Sequence, residues 1–310
     1  MKQLSYLIKR NTTLFFRDKG LFFTSLITPM ILLVLYATFL GNIYRDTLVQ
    51  IIDAMNKAAP VPVTIESRVI EGFVGGQLLS SILAVSCVTV SVSCNMLMVQ
   101  DKITGANKDI TISPLSPSTL ALSYYVSTLI STSIVCLFAM AVGLIYLAFI
   151  GFYLTVADVF LILLDVALLV MFGTAFSSVI NFFMSTQGQI SAVGSIISSC
   201  YGFMCGAYMP ISQFGDGLAN VVGLLPGTYG TALLRKHTLG SVIKKMGESG
   251  LSEQFMNELR DTVDCNIYTF GNTSVPTSVM YAVLVGTVLL LIGVYVLLNY
   301  TKSKKAAKGS

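Results

Sequence analysis

The chain has 310 residues, of which 54% are hydrophobic and only 11% are charged, and its formal net charge is +4. Its mean hydropathy of +0.78 lies well outside the range of ordinary globular proteins. From Ile110 to Gly215 only Asp158 and Asp165 are charged, whereas the surface of a soluble domain needs charges at short intervals. The composition excludes a soluble protein and predicts an all-α integral membrane protein.

Residues 1–20 predict an amphipathic helix that lies on the membrane surface. One face is apolar and carries Leu4, Leu7, Ile8, Leu14 and Phe15. The basic side chains point largely the other way and are Lys2, Lys9, Arg10 and Arg17. Because the segment is too polar to be the apolar core of a cleavable signal, we expect it to stay in the protein.

Residues 21–300 predict a six-span transmembrane domain, since each apolar stretch is long enough to cross a bilayer. The predicted spans are 21–40, 73–99, 119–150, 159–184, 190–208 and 277–300. The first span contains Pro29, which predicts a kink. Polar segments at 41–72 and 227–274 separate the first two and the last two spans, and a basic tail follows at 301–310.

The charge distribution predicts the orientation of these spans. Six spans place both termini on one side, where eleven Lys and Arg residues accompany three acidic residues. The opposite side carries eight basic and eleven acidic residues. Because positive charge accumulates on cytoplasmic loops, both termini and the 100–118 loop are predicted to be cytoplasmic, with 41–72 and 227–274 outside.

The segment between spans five and six predicts two unusual elements. Residues 209–225 are moderately apolar but interrupted by proline and glycine, which predicts a re-entrant or interfacial helical hairpin at the outer face. Within 227–274, four apolar residues recur every fourth position and predict an amphipathic surface helix. They are Leu251, Phe255, Leu259 and Val263.

The 100–118 loop allows two interpretations. It begins with charged residues and ends at two prolines, so it can hold one helix of two or three turns lying across the membrane. Such a helix, fixed between two spans, is well placed to transmit movement from a cytoplasmic partner. The alternative is a connection that only reverses the chain.

The loop contains the acidic–basic pair Asp101-Lys102, then Gly105, and then the run Ser113-Pro114-Leu115-Ser116. With these residues it resembles the corresponding loop in permease subunits of type-2 ATP-binding-cassette (ABC) exporters, although Ala106 departs from the usual threonine. In that family the loop holds the coupling helix, which docks on the ATPase. The resemblance therefore implies an ATPase-coupling role for residues 101–113, with Asp101, Lys102, Gly105, Asp109 and Pro114 as its site residues.

A second resemblance follows span five. The family has a glycine, a proline a few residues later, and an outer helical hairpin that ends in Pro-x-x-Tyr with an arginine nearby. This chain has Gly206, Pro210, Pro226, Tyr229 and Arg235 in that order. The basic N-terminal helix also resembles the connecting helix of the family, so the resemblance extends over essentially the whole chain.

The resemblance implies partners. The chain has no G-x-x-x-x-G-K-[ST] phosphate loop, so ATP and Mg²⁺ are expected on separate ABC ATPase subunits and no cofactor is expected in this chain. We expect a second permease chain, identical or a sister subunit, contact with membrane lipid, and no nucleic acid. The implied cargo is amphiphilic: a lipid, a hydrophobic drug or a peptide.

Asp165 leaves two interpretations open. A carboxylate inside a span is costly and usually faces a cavity or a partner, which predicts a contact with substrate or an ion in the translocation path. It could instead lie near the outer interface and be hydrated there. Met204 and Met209 could offer an adaptable apolar surface to the same path. A secondary transporter or channel that uses Asp165 for ion coupling is the alternative function, although no inverted repeat is evident.

The cysteines and serines suggest structural roles. Five of the six cysteines lie in apolar stretches, and a disulfide between Cys205 and Cys265 stays open. No cysteine pair has metal-site spacing, and the single histidine, His237, has no cysteine or carboxylate cluster near it in sequence. Serine-rich faces in spans two and five favour close helix packing, with path lining or dimer contact as the alternative.

Overall fold

A computed structural model describes residues 2–58, 64–112, 115–269 and 273–308. Almost all of these residues are helical. The helices are α1 Lys2–Arg17, α2 Lys19–Leu35, α3 Gly41–Ala58, α4 Ser67–Ile103, α5 Ala106–Ile112, α6 Pro117–Ile150, α7 Val156–Phe183, α8 Gln187–Met204, α9 Asp216–Val222, α10 Pro226–Glu248, α11 Glu253–Thr262 and α12 Thr277–Lys308. The two strands described, β1 Tyr268–Thr269 and β2 Thr273–Ser274, pair antiparallel. The predicted helical fold class is confirmed.

Five helical stretches in the described part of the chain are long and apolar enough to cross a membrane. They are Lys19–Asp53, Ser67–Ile103, Pro117–Ile150, Val156–Phe183 and Thr277–Lys302. They correspond to predicted spans one to four and six. The predicted fifth span is α8, whose serines, glycines and glutamines make it less apolar. The count of six spans therefore stays a prediction.

Helix α4 forms the centre of the bundle and packs against α2, α6, α7 and α10. Small residues allow the close approach: a side chain on Gly173 of α7 would collide with the carbonyl oxygen of Cys87. The serines of α4 between residues 80 and 93 are buried in these contacts, and Asn95 donates hydrogen bonds to Ser177 and Ser178 of α7 at 3.1 and 2.9 Å. The serine-rich face of span two thus serves helix packing.

Two predicted segment ends differ from the structure. The first span continues past residue 40, because a π-helical turn at Tyr36–Leu40 joins α2 to α3 without a break. The segment 41–72 therefore begins as a helix. At the other end of the chain, α12 extends through Lys308, so most of the tail at 301–310 is helical as well. The last turns of α12 are rich in lysine and alanine, which favour helix formation.

Helix α10 was not predicted, since its sequence mixes apolar and polar residues. It runs antiparallel to α7: Gly230 packs on Leu169, His237 bonds to Asp165, and further along the hydroxyl of Ser241 donates to Asp158. Helix α10 therefore begins beside the middle of α7. By contrast, the predicted amphipathic helix within 227–274 is confirmed as α11, which buries Phe255 and Leu259.

Both described ends of the chain lie at the same end of the bundle as α5. Near the N-terminus, Arg10 of α1 bonds to Asp101 at the end of α4, and α5 follows only a few residues later. Near the C-terminus, the ammonium group of Lys302 lies 5.6 Å from the centre of the Phe182 ring, at the end of α7. The amphipathic helix predicted at 1–20 is present as α1 and packs mainly on α6.

Candidate functional site

Helix α5 is the helix that the sequence predicts in the 100–118 loop. It is connected to α4 through Thr104 and Gly105, and Gly105 has a positive φ of +84°, which a side chain would disfavour. On α5 itself the carboxylate of Asp109 is exposed, and the apolar side chain of Ile112 is 85% exposed. Pro114 lies outside the described residues. The helix thus presents one acidic and one apolar group at the end of the bundle.

Asp101 connects the end of α4 to two other helices. Its carboxylate accepts two hydrogen bonds from the Arg10 guanidinium, at 2.6 and 3.0 Å, and one from the Tyr124 hydroxyl at 2.6 Å. The hydrogen bond to Asp101 raises the pKa of Arg10 above its already high value, so the guanidinium stays charged. A bidentate pair of this kind fixes both position and orientation. Asp101 therefore holds α1 and α6 against α4.

The next residue, Lys102, points toward α7. Its ammonium group donates to three backbone carbonyls at the end of that helix, each at 3.0 Å: those of Asn181, Phe182 and Met184. The last carbonyls of a helix have no partner within the helix, and a cation there also interacts favourably with the helix dipole. Asp101 and Lys102 together attach the base of α5 to three neighbouring helices.

Replacement of Lys102 by methionine should destabilise the end of α7. The variant keeps most of the side-chain volume but removes three hydrogen bonds from a charged donor, each worth about 1.5–3 kcal/mol at most. We expect a fall of several degrees in the melting temperature in detergent, measured by circular dichroism. Lys304→Met, in the exposed tail at the same end of the bundle, is the matched control and should melt like the wild type.

At the opposite end, Arg235 organises the segment that follows α8. Its guanidinium is fully buried and donates to the carbonyl of Gly206 at 2.5 Å. The amide oxygen of Gln77 on α4, in the orientation that satisfies its hydrogen bonds, accepts from Arg235 Nη2 at 3.3 Å and Nε at 3.2 Å. Gly206 has a φ of +73°, which makes the turn out of α8 one that favours glycine. Arg235 thereby joins α10 to this turn and to α4.

Asp264 completes this buried cluster, and the sequence did not reveal it. Its carboxylate accepts from Arg235 at 3.0 Å and from the backbone amides of Ile211 and Ser212 at 2.5 and 3.3 Å. Burial raises the pKa of Asp264, although Arg235 and the two amides act in the opposite direction. Its own backbone has a φ of +52°, a region that aspartate tolerates better than most residues. One carboxylate thus fixes both α10 and the turn at 211–213.

The other predicted outer residues lie around this cluster. Pro210 precedes a 3₁₀ turn at Ile211–Gln213, and Pro226 is the first residue of α10, where a missing amide hydrogen has no cost. Tyr229 is buried within α10. Residues 209–225 hold this turn and the short helix α9. Cys205 and Cys265 are both buried free thiols, and burial raises the pKa of Cys265 to about 12.

Asp165 is fully buried between α7, α10 and α12. One carboxylate oxygen lies 2.6 Å from Nδ1 of His237, and the other accepts from the hydroxyl of Tyr281 at 2.7 Å. The carboxylate is therefore neither hydrated at an interface nor directed into an open cavity. This contact is not predictable from the sequence, because 72 residues separate Asp165 from His237.

A cavity of about 610 Å³ lies on the other side of the bundle, between α2, α3 and α8. Met209 lines it, Met204 is half-exposed outside it, and Asp165 does not reach it. Three serines of the otherwise exposed α8 face the cavity: Ser195, Ser198 and Ser199. Of the three residues predicted to line the path, only Met209 borders this cavity. Among the described residues, no three His, Cys, Asp or Glu side chains are grouped so as to hold a metal ion.

The architecture has a counterpart among known protein families. A family model described as ABC-2 type transporter matches residues 2–239, from α1 into α10. The chain belongs to the ABC-2 type transporter family. Proteins of this family are membrane components of ABC transporters and work with separate ABC ATPase subunits; the domain itself is not catalytic. The resemblance stated from the two motifs is confirmed, and no curated protein sequence matches the chain significantly.

In this ABC-2 type transporter, the site residues predicted from the sequence form two separate groups. Asp101, Lys102, Gly105 and Asp109 lie together at the end that carries α5 and both termini. Gly206 and Pro210 lie in the other half of the bundle, near Arg235, and the first turn of α10 begins beside the middle of α7. Helix α4 connects the two groups directly, since about 24 residues, or about 36 Å of helix, separate Gln77, the partner of Arg235, from Asp101.

Proposed function

We propose that this chain is the permease subunit of an ABC exporter in the cytoplasmic membrane. In this proposal α1, α5 and both termini face the cytoplasm, and two permease chains assemble with two ABC ATPases that bind ATP and Mg²⁺. ATP-driven movement of the ATPases is transmitted through α5 to the spans, which release an amphiphilic cargo outward. The excess of basic residues on the α5 side supports this orientation.

One observation carries the proposal: α5 has side chains exposed to solvent, and the residues just before it are bonded to three other helices. Asp109 and Ile112 are available to a partner, whereas Asp101 and Lys102 just before the helix are bonded to α1, α6 and α7. A force applied to α5 is therefore passed to several helices at once. A loop that only reversed the chain would need no such attachment.

The geometry of α8 and α10 supports a sixth span and a re-entrant segment. Helix α8 begins next to the end of α7, after a connection of three residues, and continues for 18 residues toward the outer cluster. Helix α10 begins beside Leu169, about 20 Å along α7, and then returns toward the start of α7. If α7 spans the membrane, α10 starts near mid-membrane. We therefore extend the re-entrant segment predicted at 209–225 to include α10.

Co-purification tests the proposal. The full-length chain, tagged and extracted in mild detergent from its native membranes, should retain an ATPase with a phosphate loop. We expect Ile112→Asp to reduce the retained ATPase by at least tenfold, because a charge replaces an exposed apolar contact. The matched control is Val156→Asp, which changes a side chain of similar exposure, 75%, at the opposite end. Equal retention by both variants, or no ATPase with the wild type, would contradict the proposal.

The alternative of a secondary transporter gains no support from Asp165. Both of its oxygens already have partners, His237 and Tyr281, and the carboxylate does not border the cavity. Its position is that of a residue joining three helices rather than of one that contacts a passing ion. The family membership likewise favours the ATP-driven mechanism.

A further inference from the structure

The cavity beside α2 has well-defined walls. One wall is the second half of α2, with Ile31 and Leu35, and the facing wall is the serine-bearing side of α8. The turn at 209–213 and the end of α11 close the cavity at the end away from α5. Its volume of about 610 Å³ falls within the range of about 300–1,000 Å³ typical of sites for a single drug-sized molecule.

No charged side chain lines the cavity in the described part of the chain. A ligand carrying a net charge would therefore lose its hydration without gaining an ionic partner, at a cost of several kcal/mol. The two acidic residues that flank the lining residues Thr262 and Val263 already have partners: Asp261 accepts from Asn266 and Tyr268, and Asp264 accepts from Arg235. The lining thus selects against ions and favours an uncharged ligand.

The polar groups of the lining are hydroxyls and one amide, and they are unevenly distributed. Tyr44 and Thr47 of α3, together with Gln213 and Thr262, lie at the end of the cavity away from α5. The α2 wall is aliphatic apart from the hydroxyl of Thr28. A molecule with a hydrocarbon part against α2 and hydroxyl or ester groups near Gln213 would match both regions.

The backbone of the apolar wall is itself irregular. The π-helical turn at Tyr36–Leu40 contributes Phe39 and Leu40 to the lining. Single π-helical turns inside α-helices occur frequently at functional sites, where they redirect side chains. This turn separates the aliphatic part of the wall, on α2, from the part with hydroxyl groups, on α3.

From these observations we propose that the cavity binds one uncharged amphiphile. This inference rests on the proposed function, because the bound molecule belongs to the class of cargo that the exporter would carry. The site lies within one chain, between α2 and α8. Anionic and cationic amphiphiles of the same chain length are excluded by the lining. The cargo class named from the sequence, a lipid, drug or peptide, is thereby narrowed to uncharged amphiphiles.

Photolabelling of the purified full-length chain tests this site. The probe is a monoacylglycerol with a photoreactive group in its acyl chain, and the matched charged probes are the lysophosphatidic acid and the alkylammonium of the same chain. We expect the uncharged probe to label peptides from α2 and α8, and unlabelled monoacylglycerol to compete for this labelling. Each charged probe should label these peptides at least tenfold less. Equal labelling by all three, or labelling confined to α6 and α12, would overturn the proposal.

Two variants check the position of the site. Ser199→Trp places a large side chain in the cavity and should reduce labelling by at least fivefold. Ser191→Trp, on the same exposed helix but outside the lining, should label like the wild type. The proposal would be overturned if neither substitution changes the labelling. It would also be overturned if ordinary phospholipid displaces the probe as well as monoacylglycerol does. Because the charged-probe comparison uses the wild type, poor folding of a variant leaves the test intact.

The result of the photolabelling experiment can be distinguished from the result of the co-purification experiment that tests the proposed function. The labelling needs neither ATP nor a partner subunit, whereas the co-purification experiment needs no cargo. If an ATPase is retained through α5 but the probe does not bind, the cavity proposal fails alone. If the probe binds as described but no ATPase is retained, the cavity is a binding site and the exporter proposal fails.

Discussion

Replacement of Asp264 by alanine is expected to cause the largest loss of stability of any single substitution considered for this chain. The change leaves Arg235 buried and charged without its carboxylate, and it removes the acceptor of the Ile211 and Ser212 amides. Breaking a buried ion pair from one side typically costs about 3–5 kcal/mol. We therefore expect the melting temperature in detergent to fall by ten degrees or more, or the variant to be absent from the membrane fraction.

Two further variants separate the ion pair from general damage. Glu258→Ala removes an exposed carboxylate on α11 and should change the melting temperature by a degree at most. Arg235→Met combined with Asp264→Leu replaces the pair by apolar side chains and should recover much of the stability lost by Asp264→Ala. If Asp264→Ala melts like the wild type, the outer cluster does not hold the segment after α8 in place.

The second large effect concerns two acidic residues that the family resemblance treats alike, Asp101 and Asp109. Asp101 is bonded to Arg10 and Tyr124, so Asp101→Ala should lower the stability by about 2–4 kcal/mol through the loss of charge-assisted hydrogen bonds. Asp109 is exposed on α5, so Asp109→Ala should leave the melting temperature unchanged. Its expected effect is instead a several-fold loss of retained ATPase.

The two readouts, melting temperature and retained ATPase, are measured on the same preparations. Asp109→Asn tests whether charge or shape matters at the docking surface, and it should fall between the wild type and Asp109→Ala. A loss of stability in Asp109→Ala would place that residue within the bundle. A loss of ATPase in Asp101→Ala at temperatures well below its melting transition would assign Asp101 a direct contact with the partner.

The sequence predicts those elements whose signal lies within a few residues. Helix α11 was predicted from four apolar residues at a spacing of four, and α5 from a short segment between charged residues and prolines. The long spans were predicted because apolar composition alone distinguishes them. Their ends were less predictable, since α2 continues through a π-helical turn into α3 and no residue marks that continuation.

What the sequence does not predict depends on contacts between distant residues. Helix α10 looks like part of a polar insertion because Arg235 and His237 are polar, yet both have acidic partners far away in sequence, Asp264 and Asp165. A buried arginine does require an acidic partner, but several acidic residues follow it and only the fold selects one. Likewise, the adjacent residues Asp101 and Lys102 bond to different helices, which their order alone does not reveal.

The position of α5 relative to the membrane can be measured directly by labelling a cysteine introduced at Ile112, which is 85% exposed. The experiment uses a Cys200→Ser background, because Cys200 is exposed and the other native cysteines are buried. A membrane-impermeant maleimide should label Val156→Cys in intact cells and should label Ile112→Cys only after the cells are permeabilised. Labelling of Ile112→Cys in intact cells would place α5 outside, where no ABC ATPase can reach it, and would contradict the proposed coupling.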